Sequence, residues 1–210
     1  ALMLERNTAF PGFKYLLPVE VGAINTASPL SASAQLGLPV IDADGAGRSI
    51  PTLPLDTFAG NGLPLYPNCI ASNSVPPAPY NSASINIAGP APEATAELAF
   101  LGVMLSQPFG GISGLAMYAQ TGATMQANPP VAGTLIDAGA IGEIMNNHTG
   151  ADRVSKIVDY LITWRPAGPR YAQEIFHATI TGMTLASGGT DVGQIQCTGM
   201  GTYAGQTLWI

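Results

Sequence analysis

The sequence predicts an α/β fold: a partly parallel sheet with a βαβ crossover, followed by helices and a C-terminal antiparallel β segment. Three observations carry that expectation. Two short, largely apolar runs at 15–21 and 39–41 flank a helical stretch, and parallel neighbours need a crossover of that kind. Apolar residues then recur at helical spacing through 134–161. From Glu174 the period falls to two, as in strands that cover one face.

Taken in order, Tyr15-Leu16-Leu17-Pro18-Val19-Glu20-Val21 is an apolar run stopped by Gly22, the pattern of a buried strand. Asn25-Thr26-Ala27-Ser28 offers helix caps before Pro29 at a first helical position. Residues 30–36 continue as a short helix closed by Gly37. A second buried strand, 39–41, ends at Asp42. Residues 51–92 hold nine prolines and read as a loop that wraps a surface or approaches a site, with strand candidates at 53–58 and 84–87. Residues 93–106 form a helix that is apolar nearly all round and is expected to be buried. A Gly-rich stretch follows, with a strand at 115–118.

Thr134-Leu135-Ile136-Asp137 resembles a capping box at a helix start, and Ile141, Ile144 and Met145 continue one face. Gly150 separates a second helix, in which Val154, Ile157, Val158 and Leu161 share a stripe and Asp152 precedes Lys156 by one turn. Pro166 and Pro169 end it. Phe176, Ala178 and Ile180 then lie on one strand face, with further strands at 193–197 and 207–210. The expected division is an α/β domain over 1–145 and a helix plus antiparallel β domain over 146–210. Ala1–Arg6 reads as the tail of a helix and Thr207–Ile210 as an unfinished strand, so both domains are expected to extend beyond this chain.

Composition narrows the function. Thirteen acids against seven bases give a net charge of −6, and no Lys/Arg cluster is present, so neither nucleic acid nor an anionic membrane is an expected partner. Charged residues are only 10% of the chain, against about 25% in an average globular protein. Much buried surface is therefore expected, including a subunit interface, hence a homo-oligomer. The longest apolar stretch, 98–105, is far short of the roughly 20 residues of a spanning helix, and no secretory leader is visible. Two cysteines, Cys69 and Cys197, make no disulfide framework, which suits a reducing, cytoplasmic setting.

The most distinctive stretch is Asp42-Ala43-Asp44-Gly45-Ala46-Gly47-Arg48. It follows a strand of the expected parallel sheet, at the end where such sheets bind ligands. Two acids and an arginine among glycines suit a polar small molecule or a hard cation. Glu20, ending the neighbouring strand, is expected to face the same crevice. The plainer reading is that Asp42 and Asp44 cap a turn while Arg48 pairs with them. His148 and His177 share no spacing and read as structural or surface groups. Cys69 is a nucleophile only if a base lies beside it, and a buried inert thiol is the simpler reading. Cys197 shares a strand face with Ile195 and reads as core. Neither Gly110-Gly111 nor Gly188-Gly189 has dinucleotide-binding spacing.

Leu17-Pro18-Val19-Glu20-Val21-Gly22-Ala23-Ile24-Asn25, then Leu36-Gly37-Leu38-Pro39-Val40-Ile41 running into Asp42–Arg48 and Pro51, resembles the S-methyl-thiohydantoin desulfurase-like family, associated with hydantoinase/oxoprolinase genes. Its pattern is approximately P-x-E-x-G-x-x-N followed by L-G-x-P-x-x-D-x-D-G-x-G-R-x-x-P. Val131-Ala132-Gly133-Thr134-Leu135 and the stretch 182–210 resemble later parts of the family more weakly. Family members normally have a Gly-rich segment before this region and continue beyond it. The resemblance implies hydrolytic release of a thiol from a five-membered thiohydantoin ring, in catabolism of sulfur-containing histidine derivatives. It further implies Glu20 or Asp42 as base or metal ligand, Asp44 sharing that role, and Asn25 and Arg48 as substrate-binding residues. A divalent metal held by Asp42 and Asp44 would fit the same chemistry. The alternatives are a non-catalytic accessory subunit of a hydantoinase/oxoprolinase-type assembly, or a small-molecule binding protein.

Overall fold

The computed structural model describes residues 12–72, 81–87, 93–109, 113–185 and 193–210. The expectations placed on Ala1–Arg6, Gly110-Gly111 and Gly188-Gly189 lie outside them. The chain divides into two compact units, Ala1–Gly142 and Glu143–Ile210.

In the first unit the elements run α1 (Ala23–Leu36), β1 (Ala43–Asp44), a 3-10 turn (Leu53–Leu55), α2 (Thr57–Gly60), β2 (Asn68–Ser72), β3 (Ser82–Ile85), α3 (Glu93–Met104), β4 (Ser113–Ala116), α4 (Gly122–Ala127), β5 (Val131–Ala132) and the start of α5 (Thr134–Asn147). Two small sheets result. β1 pairs with β5, Ala43 facing Ala132 and Asp44 facing Val131. The other sheet has the order β3-β2-β4.

The sheets of the described residues are all antiparallel, so the expected parallel sheet with its βαβ crossover is not formed. What remains of it is one parallel bridge between Leu16 and Val40, in which Leu16 donates to Pro39 O at 3.0 Å and Ile41 donates to Leu16 O at 2.9 Å. Proline explains why it stops there. The next donor along a parallel ladder is residue 18, and Pro18 has no N–H. Beyond that point the 19–21 segment bonds to the 44–50 loop instead, partly through side chains.

Helix α1 also departs from expectation, starting at Ala23 and carrying Pro29 inside it. The side chains read as caps serve differently: Thr26 Oγ1 accepts the Gly22 N–H at 3.1 Å, ahead of the first turn. Gly37 closes the helix as expected, at φ 64° with its N–H on Ser33 O. The 53–58 strand candidate is instead the 3-10 turn and the start of α2, whose carboxylate cap is Asp56 (Ala59 N–H to Oδ1, 2.7 Å). Helix α3 buries Ala96 and Phe100 but leaves Leu98 70% exposed, so it covers the core with one face only. That core gathers Phe58, Leu65, Ile70, Ala96, Phe100 and Tyr118.

In the second unit, α6 (Gly150–Asp159) runs into a π turn at Tyr160–Trp164. A meander follows, β6 (Ala178–Leu185), β7 (Gly193–Gly199) and β8 (Thr207–Trp209), in the order β6-β7-β8. The alternation read from Ala178 and Ile180 is interrupted by a bulge between Ile180 and Gly182. Ile180 lies opposite Cys197, and after the bulge Met183 lies opposite Ile195. One face thus carries Ile180, Met183, Leu185, Ile195, Cys197 and Leu208, the other Thr179, Thr184, Gln194, Gln196, Thr198, Thr207 and Trp209. No described helix is long and apolar enough to cross a membrane.

Candidate functional site

The Asp42–Arg48 loop is held at three points. Asp42 lies ahead of α5 and acts as its cap from a distance: its Oδ1 accepts the N–H groups of Leu135 (2.9 Å) and Ile136 (3.2 Å). Its backbone carbonyl accepts the Gly133 N–H at 2.9 Å. A carboxylate placed there meets both unsatisfied donors and the positive end of the helix dipole. Its Oδ2 has no hydrogen-bond partner among the described residues.

Asp44 is 1% exposed. Its Oδ2 accepts the Val21 N–H at 2.7 Å, and its Oδ1 accepts those of Ala46 (3.0 Å) and Gly47 (2.5 Å). A buried charge survives only when solvated by the protein, and here backbone dipoles from both sides of the loop do so. Glu20 fastens the far end, accepting the Ile50 N–H on Oε2 and the Asn25 amide on Oε1, both at 2.8 Å.

The glycines of the motif follow from close approach. A Cβ on Gly45 would lie 2.8 Å from Phe58 Cε2 and 2.9 Å from Val19 O. Gly47 has φ 67° and would bring a Cβ to 2.9 Å from Val131 Cγ1. Gly45 also donates to Val19 O (2.8 Å) and accepts from the Thr57 N–H (2.6 Å).

The structure therefore bonds Glu20 to Asn25 directly, ties Asp44 to the Glu20 segment only through the Val21 N–H, and sets Asp42 at the N-terminus of α5. Arg48 is exposed, its guanidinium donating to Ser49 O at 3.0 Å. It forms no ion pair with these acids among the described residues, so the plainer reading of Arg48 as their partner is not what is found. Elsewhere Cys69 is buried, with Ser84 Oγ at 3.7 Å, and Cys197 is buried and unbridged. His148 Nδ1 meets Asp152 Oδ2 at 2.6 Å, one helical turn on.

Sequence reading missed two features near the loop. The hydroxyls of Thr57 and Thr134 are buried with no hydrogen-bond partner among the described residues, and each residue adjoins a backbone bond to the loop. Tyr118 has φ 51°, in a region where a non-glycine residue is strained by about 1–2 kcal/mol. No residue type announces that conformation except Gly, Asn or Asp, so nothing at Tyr118 could have signalled it. As a metal centre the site is poorly furnished. Both oxygens of Asp44 are taken by N–H donors, and no group of three or more His, Cys, Asp or Glu among the described residues is placed to hold an ion.

Comparison with known proteins agrees with the motif. Residues 2–75 match the family model described as S-Me-THD-like, N-terminal domain. A crystal structure of a protein from Chromobacterium violaceum, determined by structural genomics, is similar over 93% of this chain with 25% identity and a TM-score of 0.62. This chain spans 51% of that one, about half its length. No curated protein matches. Residues 2–75, which contain the whole 17–51 motif, are thus similar to the S-Me-THD-like N-terminal domain.

Proposed function

We propose that the chain contributes the catalytic loop of a hydrolase that releases a thiol from an S-alkylated thiohydantoin ring, a small-molecule enzyme of the cytoplasm working as a homo-oligomer. The observation that carries this reading is the Asp42 carboxylate. One oxygen is fixed by two helix N–H groups while the other has no partner among the described residues, which is the arrangement of an oriented base. Asp42 takes a proton from water as its oxygen bonds to the ring carbon that carries sulfur. The carbon–sulfur bond then breaks, Asp42 returns its proton to the departing sulfur, which leaves as the thiol, and the added hydroxyl passes its proton to the ring nitrogen and becomes the carbonyl. Arg48, exposed and without an ion pair among the described residues, takes a substrate carboxylate or the charge developing on the ring. Asp44 and Glu20 hold the loop that carries both, and Asn25 orients Glu20. The family match supports the substrate class, and the low charge content supports a subunit interface.

Asp42→Asn isolates the chemistry. Asparagine caps a helix as well as aspartate does, so its carbonyl can keep the α5 donors while the basic oxygen becomes an NH2. Thiol release from an S-methyl-thiohydantoin, followed with a chromogenic disulfide, is expected to fall about 100-fold, the scale of a lost general base. Circular dichroism should be unchanged. Near wild-type release by this variant would refute the assignment, and no release by the wild type would favour an accessory subunit.

A further inference from the structure

We infer that Tyr118 is a positioning residue for the 42–48 loop and acts on it through Phe58; only the activity arm of its test rests on the function proposed above. Among the described residues Tyr118 alone of the non-glycines has a positive φ, 51°. Glycine would adopt that backbone freely. A tyrosine kept there despite the strain, and 8% exposed, points to its ring as the reason.

The ring packs on Phe58, with centroids 5.3 Å apart at 46°. Phe58 is 2% exposed and forms the floor of the loop, since a Cβ on Gly45 would stand 2.8 Å from its Cε2. Its neighbour Thr57 donates to Gly45 O at 2.6 Å. Tyr118 thus backs Phe58, and Phe58 sets how deep Gly45 can sit. The depth of Gly45 in turn places the N–H groups of Ala46 and Gly47 on Asp44. A close-packed core passes such a displacement on instead of absorbing it.

The test compares Tyr118→Gly, which relaxes the backbone and removes the ring, with Tyr118→Phe, which keeps the ring. Phe58→Leu removes the intermediary, and Ile70→Val trims the same core elsewhere. Amide hydrogen exchange at Ala46 and Gly47, corrected for each variant's global stability, reads the loop itself. Exchange is expected to be about tenfold faster in Tyr118→Gly and Phe58→Leu, and within about twofold of wild type in Tyr118→Phe and Ile70→Val. In the thiol-release assay kcat should fall about tenfold in Tyr118→Gly with KM little changed, because a displaced base harms the reacting geometry more than binding. Exchange at Ala46 and Gly47 in Tyr118→Gly that merely tracks Ile70→Val overturns the inference. If Tyr118→Gly does not fold, Phe58→Leu against Ile70→Val decides it. Loosened amides in a protein whose wild type releases no thiol would leave the positioning role standing and remove the reaction.

Discussion

Asp44→Asn is expected to cost about 3–5 kcal/mol, from one charge-assisted hydrogen bond lost and two weakened. The carboxylate accepts three backbone N–H groups at 1% exposure. An amide can present its oxygen to Ala46 and Gly47 or to Val21, not to both. Its NH2 must then face an N–H that has no water to turn to. Urea unfolding should show this by backbone circular dichroism, because Trp164 and Trp209 both lie in the second unit and would not report it directly. Asp42→Asn should leave the same midpoint nearly unmoved. A loss under about 1 kcal/mol for Asp44→Asn, an ordinary surface-like effect, would show that the loop does not depend on that charge.

Gly45→Ala is expected to destabilise by about 2–3 kcal/mol, the upper range for overpacking a core. The added methyl would meet Phe58 at 2.8 Å and, less forgivingly, the Val19 carbonyl at 2.9 Å. That carbonyl is the one accepting the Gly45 N–H, so relief by shifting the backbone breaks a hydrogen bond. Thermal melting is the check, with Gly60→Ala as the control, since a Cβ there would meet nothing within 4 Å. Equal melting temperatures for the two would mean that the loop is free to rise off Phe58.

The first expectation separates two residues that the sequence presents as equivalents. Asp42 and Asp44 differ by two positions in one motif, yet Asp42 reaches a helix about ninety residues on and Asp44 stays within its own turn and the 19–21 segment. Spacing shows that acids cluster; it does not show which N–H groups they meet, because those donors come from remote chain. The same limit hides the Thr57 and Thr134 hydroxyls, which are buried without a hydrogen-bond partner among the described residues. Periodic helices such as α5 and α6 and the antiparallel run from Ala178 were legible, since each depends on its own pattern. Apolarity alone points to a parallel sheet over 15–21 and 39–41, and that sheet is not formed. Pro18 stood in the middle of the first run, and its missing donor was sufficient to end the ladder after one bridge.

The bulge at Thr181 has a genetic consequence. A regular ladder from Ile180 would place Met183 opposite Gln194 and turn Leu185 to the threonine and glutamine side, since a one-residue slip inverts every later side chain. The extra residue restores the phase. Loss of codon 181 should therefore be tolerated, at the cost of the hydroxyl contact to Thr198. A codon inserted after Met183 should not, because Leu185 would change sides. A deletion and insertion series scored by melting temperature would display this asymmetry.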